Sequence, residues 1–198
     1  MENKPPYEMT PAALTRALVA LGDLLASRAL RFEIVVIGGG ALALIGSLQR
    51  TTKDLDVVAT LEANTLSPVR EIPPALAEAA RDVARVLDLG ADWLNAGPAS
   101  LMDLGLPPGF TDRLVAHRFG PLVVHVAARI DQIAFKLYAA VDQGPRSKHF
   151  ADLQALTPTA SELRGAAAWT RTHDSSAPFA SELDAALREL GVKAGDGS

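Results

Sequence analysis

The stretch from Val36 to Val58, VIGGGALALIGSLQRTTKDLDVV, decides the fold of this chain. An apolar run ends in three glycines, and an apolar pattern of helical spacing follows. A basic, hydroxyl-rich turn then leads to two aspartates that flank a leucine. The pattern predicts a strand, a helix and a second strand, with Asp54 and Asp56 at the start of the second strand. Because the aspartates are two residues apart, we expect both side chains on one face of the strand.

The three glycines have two rival interpretations. The residues from Gly38 to Ala43 match G-x-G-x-x-A, which after a strand and before a helix is the dinucleotide-binding fingerprint of a reductase. In that fingerprint, an acidic residue follows the second strand and binds the ribose. Here Asp54 and Asp56 precede the apolar run of the second strand, and no acidic residue directly follows Val58. The position of the acids therefore disfavours dinucleotide binding.

The second interpretation is a phosphate site with a metal. Backbone N–H groups at a glycine-rich turn can donate to phosphate oxygens, and a side chain there would block their approach. Two carboxylates on one face repel each other, and a hard divalent cation, Mg²⁺ or Mn²⁺, relieves this repulsion when phosphates complete its shell. The pattern predicts phosphoryl or nucleotidyl transfer. The alternative without function is a strand with two solvated aspartates.

Composition narrows the class of protein. The 198 residues include no cysteine, which excludes disulfides and thiolate metal sites, and 48% are hydrophobic, enough for a substantial core. The net charge of −4 disfavours unspecific binding to nucleic acid, which needs a broad basic surface. The first residues lack the pattern of a secretory signal, and no apolar run approaches the ~20 residues that span a bilayer. We expect a cytoplasmic protein that does not enter a membrane.

The order of predicted elements indicates an α+β fold, with a small mixed β-sheet and a helical C-terminal half. We predict an α/β core over residues 1–128, a helical region packed on it over residues 129–190, and a frayed tail over residues 191–198. The predicted strands are Phe32–Ile37, Leu55–Thr60 and two strands around the turn Phe119-Gly120-Pro121. The predicted helices are Thr10–Arg28, Ala41–Gln49, Ala75–Leu89, Ala128–Gln143, Lys148–Thr157, Thr159–Thr172 and Ala180–Leu190. Residues 90–110 are rich in Gly and Pro and are expected to be irregular.

A second motif lies in the stretch FKLYAAVDQGPRSKHFADLQAL, from Phe135 to Leu156. It places Lys136 on a helix, Arg146 in a basic loop and Asp152 after that loop. Together with the first motif, it resembles the nucleotidyltransferase-fold superfamily, and in particular the AbiEii-like and MenT-like toxin nucleotidyltransferases. The resemblance spans roughly residues 34–156, and the order of both motifs makes it more specific than either motif alone.

The resemblance implies an enzyme that transfers a nucleoside monophosphate from an NTP to an acceptor hydroxyl, with pyrophosphate leaving. In the toxin branch, acceptors include tRNA 3′ ends, and a cognate antitoxin protein would be a partner. The implied metal ligands are Asp54 and Asp56, which with Lys136 and Asp152 make up the implied catalytic set. The implied nucleotide-binding residues are Gly38 and Gly39, with Gly40 beside them, and Arg146 in the basic loop. Independently of the resemblance, the turn Arg50, Thr51, Thr52 and Lys53 is either a polar turn with a few cations or helps to hold the triphosphate or an RNA backbone.

The chain also departs from this family pattern. His149 stands where the branch has an aspartate, and the strand around His125, where we expect a third carboxylate, has none. These departures favour one metal over two. They also support an alternative function, a non-catalytic nucleotide-binding or protein-interaction module on the same fold.

Three further side chains leave alternatives open. Lys136 either snorkels at the protein surface or donates to the triphosphate. Asp152 either complements the dipole in the first turn of its helix, or is functional, fixing Lys136 by an ion pair or orienting the acceptor hydroxyl. Trp93 is either a core residue or a stacking platform for a base, in which case Asn95 would contact the edge of that base.

Overall fold

The computed structural model describes residues 8–47, 49–63, 65–97, 100–103 and 105–192. The chain divides into two compact units, Met1–Ala127 and Ala128–Ser198, which are described one at a time. Over the described residues the fold is α+β, with a mixed sheet of six strands and eight α-helices, as the sequence predicts. No helix in these ranges is both long and apolar enough to cross a bilayer.

The first unit contains all of the strands in the described ranges and four of the α-helices. Its strands are β1 (Phe32–Ile37), β2 (Leu55–Glu62), β3 (Thr65–Pro68), β4 (Leu94–Ala96), β5 (Val115–Phe119) and β6 (Leu122–Val126). Its helices are α1 (Pro11–Ser27), α2 (Gly38–Leu44), α3 (Pro74–Leu87) and α4 (Ser100–Asp103), and a 3₁₀ turn covers Thr111–Arg113.

The sheet has the strand order β3-β2-β1-β6-β5. Strand β1 runs antiparallel to β2 and parallel to β6. The edge of β2 away from β1 carries two partners, because β4 pairs in parallel with its first residues and β3 pairs antiparallel with its last. Since the strands on either side of α2 are antiparallel, the glycine motif cannot belong to a Rossmann unit, whose strands are parallel. The dinucleotide interpretation is therefore wrong.

One face of the sheet packs against α1 and α3 to form the main core. The leucines of α1 at positions 14, 18, 21 and 25 are fully buried, as their helical spacing predicts. The Thr10 hydroxyl caps this helix by accepting from the Ala13 N–H at 3.2 Å, and Pro11 occupies the first helical position. Leu55 and Val57 of β2 point into this core, so the residues that alternate with them lie on the opposite face of the strand.

The second unit is helical and is organised around one helix. Its helices are α5 (Arg129–Gln143), α6 (Lys148–Leu156), α7 (Ala160–Arg171) and α8 (Ala177–Glu189), and the other three pack on α5. Side chains of Ser147, Thr159 and Ser176 cap α6, α7 and α8. The amphipathic pattern of α5 predicts that Ile130 points inward, but this side chain is 43% exposed in the first turn.

Several element bounds differ from the sequence prediction. Helix α2 begins at Gly38 and ends at Leu44, so the glycines form its first turn rather than a turn before it. The sequence pattern does not predict strands β3 and β4, and both β4 and α4 lie within the stretch expected to be irregular. Helix α8 begins three residues early because Ser176 caps it and Pro178 fits its first turn. Most of the predicted frayed tail, residues 193–198, lies outside the described residues.

Candidate functional site

The glycines and the aspartates of the first motif meet at one corner of the sheet. Ile37, the last residue of β1, pairs with Asp56 near the start of β2, and Gly38 follows directly. Asp54 lies just before β2, and both aspartates are half-buried. Because Leu55 points into the core, alternation places Asp54 and Asp56 together on the opposite face. We call Gly38, Gly39, Gly40, Asp54 and Asp56 the glycine–aspartate corner.

Glycine is required where α2 meets the aspartates. Gly38 has φ +83°, a backbone conformation that residues with side chains rarely adopt. A Cβ built on Gly38 would lie 2.7 Å from Asp56 Oδ2, so the carboxylate occupies the space that a side chain would need. A Cβ on Gly40 would lie 2.5 Å from the Asp54 carbonyl oxygen. The two parts of the motif, separated along the chain, therefore pack directly on each other.

The basic turn before the aspartates also contacts this corner. A Cβ on Gly39 would lie 3.1 Å from Arg50 Nη2 and 3.6 Å from Thr52 Oγ1, so the guanidinium lies over the glycine turn. Thr52 is buried, and its hydroxyl donates to the Asp54 carbonyl at 3.0 Å. Lys53 is exposed. Arg50 belongs to the stretch RTTK, whose charges and hydroxyls are predicted to help hold the triphosphate or an RNA backbone, and the structure places it at this corner.

Asn95 lies beside Asp56, a position that the sequence does not predict. In the parallel pairing of β4 with β2, Asn95 is the partner of Asp56, so the two side chains share one face. The Asn95 amide nitrogen, in the orientation that satisfies both ends of the amide, donates to Asp56 Oδ1 at 3.2 Å and to the Ala96 carbonyl at 3.0 Å. Trp93 is fully buried and donates from Nε1 to the Ala80 carbonyl at 2.9 Å, so it is a core residue and not a stacking platform.

His125 does not stand beside the aspartates as expected. It lies on β6 in register with Val35, and strand β1 separates it from β2. Its Nε2 is 2.8 Å from Glu33 Oε2 on β1. On the side of Asp56 away from β1, where a third carboxylate could lie, the neighbouring strand is β4, and the residue there is Asn95. The expectation that placed His125 at this position is wrong because the sequence pattern did not predict β4.

The second motif forms a buried ion pair in the helical unit. Lys136 Nζ on α5 donates to Asp152 Oδ2 on α6 at 2.6 Å, and the two side chains are 6% and 2% exposed. Lys136 therefore does not snorkel at the surface. Asp152 lies beyond the first turn of α6, so the dipole interpretation of this residue is also wrong. Arg146 is exposed in the loop between α5 and α6.

The glycine–aspartate corner has the donors that Mg²⁺ or Mn²⁺ uses. Asp54 and Asp56 offer carboxylate oxygens on one face, and neither residue is fully buried. Within the described ranges, no three side chains of His, Asp or Glu come close enough together to hold a metal ion. Magnesium is often bound by one or two carboxylates together with substrate phosphates. The two aspartates fit this kind of site.

A known family matches the chain over most of the first unit and the first helix of the second. A family described as "Nucleotidyltransferase of unknown function (DUF6036)" has a model that matches residues 14–146, which is more than half of the chain. The chain belongs to this nucleotidyltransferase family. The match includes the whole glycine–aspartate corner, Arg50, Asn95 and Lys136, and it ends at Arg146, before Asp152. A nucleotidyltransferase takes an NTP as its substrate. No curated protein is significantly similar to the chain in sequence.

Proposed function

We propose that this nucleotidyltransferase transfers a nucleoside monophosphate at the glycine–aspartate corner, with Mg²⁺ or Mn²⁺ held by Asp54 and Asp56. The observation that carries the proposal is the contact between Gly38 and the Asp56 carboxylate. A turn without side chains lets phosphate oxygens approach backbone N–H groups, and carboxylates directly beside it let a cation meet the same phosphates. A bound metal would supply positive charge for the α-phosphate and the leaving pyrophosphate.

In the proposed reaction, the oxygen of an acceptor hydroxyl forms a bond to the α-phosphorus of the NTP. The bond from that phosphorus to the bridging oxygen of the β-phosphate breaks, pyrophosphate leaves with the electron pair, and the hydroxyl proton passes to solvent. The protein's part is to position the NTP and to stabilise charge. Gly38, Gly39 and Gly40 would hold the phosphates. The exposed cations Arg50 and Lys53 would lie beside them, and the same basic turn adds Thr52 to this set.

We propose an RNA 3′ end, such as that of tRNA, as the acceptor. The support is the resemblance to the toxin branch, together with charge. The net charge of −4 disfavours broad binding to nucleic acid, whereas the cations of the basic turn are concentrated at the corner. The same resemblance supports a role as the toxin of a toxin–antitoxin pair, with a cognate antitoxin protein as partner.

The alternative is a nucleotide-binding or protein-interaction module without catalysis. The observation that favours it is the Lys136–Asp152 pair, because a lysine expected to contact the triphosphate is buried and donates to an aspartate. If catalysis does use Lys136 and Asp152, the ion pair fixes the lysine in position. Turnover of NTP that depends on a divalent metal separates the two functions.

The test is to incubate the protein with each of four α-³²P-labelled NTPs, Mg²⁺ or Mn²⁺, and total cellular RNA. We expect label on RNA from the native protein and from the Asp23→Asn control, which removes an exposed carboxylate of α1. We expect none from a double variant, Asp54→Asn with Asp56→Asn. Equal labelling by the double variant would refute the proposed site. NTP binding without turnover by the native protein would favour the nucleotide-binding module, and absence of both would favour the protein-interaction module.

The toxin role has its own test. Induced expression of the native chain in a bacterial host is expected to stop growth, and expression of the double variant at the same level is not. If growth is unimpaired although the native protein is active, the protein is a nucleotidyltransferase that does not act as a toxin.

A further inference from the structure

Asn95 lies on strand β4, which the sequence pattern does not predict, and is the neighbour of the proposed metal ligand Asp56 on β2. Strand β4 pairs with the first residues of β2, and the Gly97 N–H continues this ladder by donating to the Val57 carbonyl at 2.8 Å. A Cβ on Gly97 would lie 2.9 Å from Asp56 Cβ, so the chain leaving β4 closes tightly over the aspartate. The position of Asn95 relative to Asp56 is thus set by backbone pairing and not by flexible side chains.

The two carboxylate oxygens of Asp56 face different neighbours. Oδ2 lies against Gly38, where a Cβ would be only 2.7 Å away. Oδ1 accepts from the Asn95 amide at 3.2 Å. Contacts on both sides restrict rotation of the carboxylate about its Cβ–Cγ bond. The amide is neutral, so it orients the carboxylate without competing with a cation for its charge.

We propose that Asn95 is a positioning residue, which holds the Asp56 carboxylate in the orientation that binds the divalent cation. The inference rests on the proposed function, since it takes Asp56 as a metal ligand. Groups that hydrogen-bond to metal ligands fix ligand orientation, and removing them typically lowers metal affinity or activity by about 10–100-fold. An amide at this place in the sheet also means that β4 adds no third carboxylate, which fits a site with one metal.

The test is to measure Mn²⁺ binding by electron paramagnetic resonance, with a non-hydrolysable NTP analogue present, alongside thermal unfolding without metal. Asn95→Leu keeps the size of the side chain and removes the donor, and Asn95→Ser keeps a hydroxyl donor. Ser67→Ala is the control, because Ser67 is exposed on β3, the other strand on the same edge of β2. Asp54→Asn with Asp56→Asn gives the reference without the proposed ligands.

We expect Asn95→Leu to weaken Mn²⁺ binding about 10–100-fold, Asn95→Ser to recover part of the loss, and Ser67→Ala to match the native protein. Native affinity in Asn95→Leu overturns the inference. A purely structural role for Asn95 predicts something different: both Asn95 variants would lose Mn²⁺ affinity in proportion to their fall in unfolding temperature. That result would also overturn the inference. If the double aspartate variant binds Mn²⁺ as tightly as the native protein, the proposed function itself fails, whatever the Asn95 variants do.

Discussion

Replacing Gly38 by alanine perturbs the corner where the glycine turn meets the Asp56 carboxylate. The change has two consequences that can be separated. It places a side chain at φ +83°, and it puts a Cβ 2.7 Å from Asp56 Oδ2. Gly46 provides a matched control, because its φ is +70° and a Cβ there would have no atom within 4 Å. Both variants carry the backbone strain, and Gly38→Ala alone carries the collision.

The expected magnitudes follow from these distances. A left-handed backbone at a residue with a side chain costs about 1–2 kcal/mol. At about 2–4 °C per kcal/mol for a chain of this size, both variants should lower the unfolding temperature by roughly 2–8 °C. In Gly38→Ala the Asp56 oxygen must also withdraw to ordinary contact at 3.4 Å, a movement of about 0.7 Å. Misplacing a reacting group by ~1 Å costs about 100-fold in rate, so we expect a loss of that order.

The assay compares RNA labelling by α-³²P-NTP for native protein, Gly38→Ala and Gly46→Ala at a temperature where all three are folded. We expect similar unfolding temperatures for the two variants, and a large loss of labelling in Gly38→Ala only. Equal labelling by both variants would refute the reasoning that the Asp56 carboxylate must keep its place beside Gly38. A similar loss in both would show that backbone strain, and not the collision, is responsible.

Three further predictions concern the ion pair, the buried tryptophan and a histidine. Lys136→Met should lower the free energy of unfolding by about 3–5 kcal/mol, because it leaves the Asp152 charge buried, and adding Asp152→Leu should restore much of the loss in denaturant titrations. Trp93→Phe should destabilise by about 1–3 kcal/mol, since the Ala80 carbonyl loses its donor, and should leave affinity for the NTP analogue unchanged. Burial lowers the pKa of His173 below its usual 6.5. The unfolded chain therefore takes up that proton more readily, and stability should fall as pH drops below about 6.5. His173→Phe should reduce the change in unfolding temperature between pH 6.5 and pH 5. An unchanged pH dependence would contradict the assignment of this effect to His173.

Much of the first unit follows from local patterns in the sequence. Thr10 and Pro11 mark the start of α1, and Gly120 and Pro121 mark the turn between β5 and β6. These signals act within a few residues, so they can be recognised without knowing the rest of the chain. The i, i+2 spacing likewise places Asp54 and Asp56 on one face.

The strands on the far edge of β2 could not be predicted in the same way. Strand β4 has only three residues, followed directly by Gly97, which is too few for a visible alternation. Its pairing with β2 is a long-range contact. Missing β4 led to the assignment of His125, instead of Asn95, to the position beside Asp56. The sequence also does not predict the burial of Lys136 beside Asp152, because it requires α6 to pack on α5.

The most direct test of nucleotidyl transfer at the glycine–aspartate corner follows the two ends of one NTP. The native protein is incubated with Mg²⁺ or Mn²⁺ and total cellular RNA, once with α-³²P-NTP and once with γ-³²P-NTP. The double aspartate variant runs in parallel. We predict that the α label appears on RNA and the γ label in pyrophosphate, both only with the native protein. The γ label on RNA would mean phosphoryl transfer, and label transfer by the double variant would place the chemistry elsewhere; either result would contradict the account.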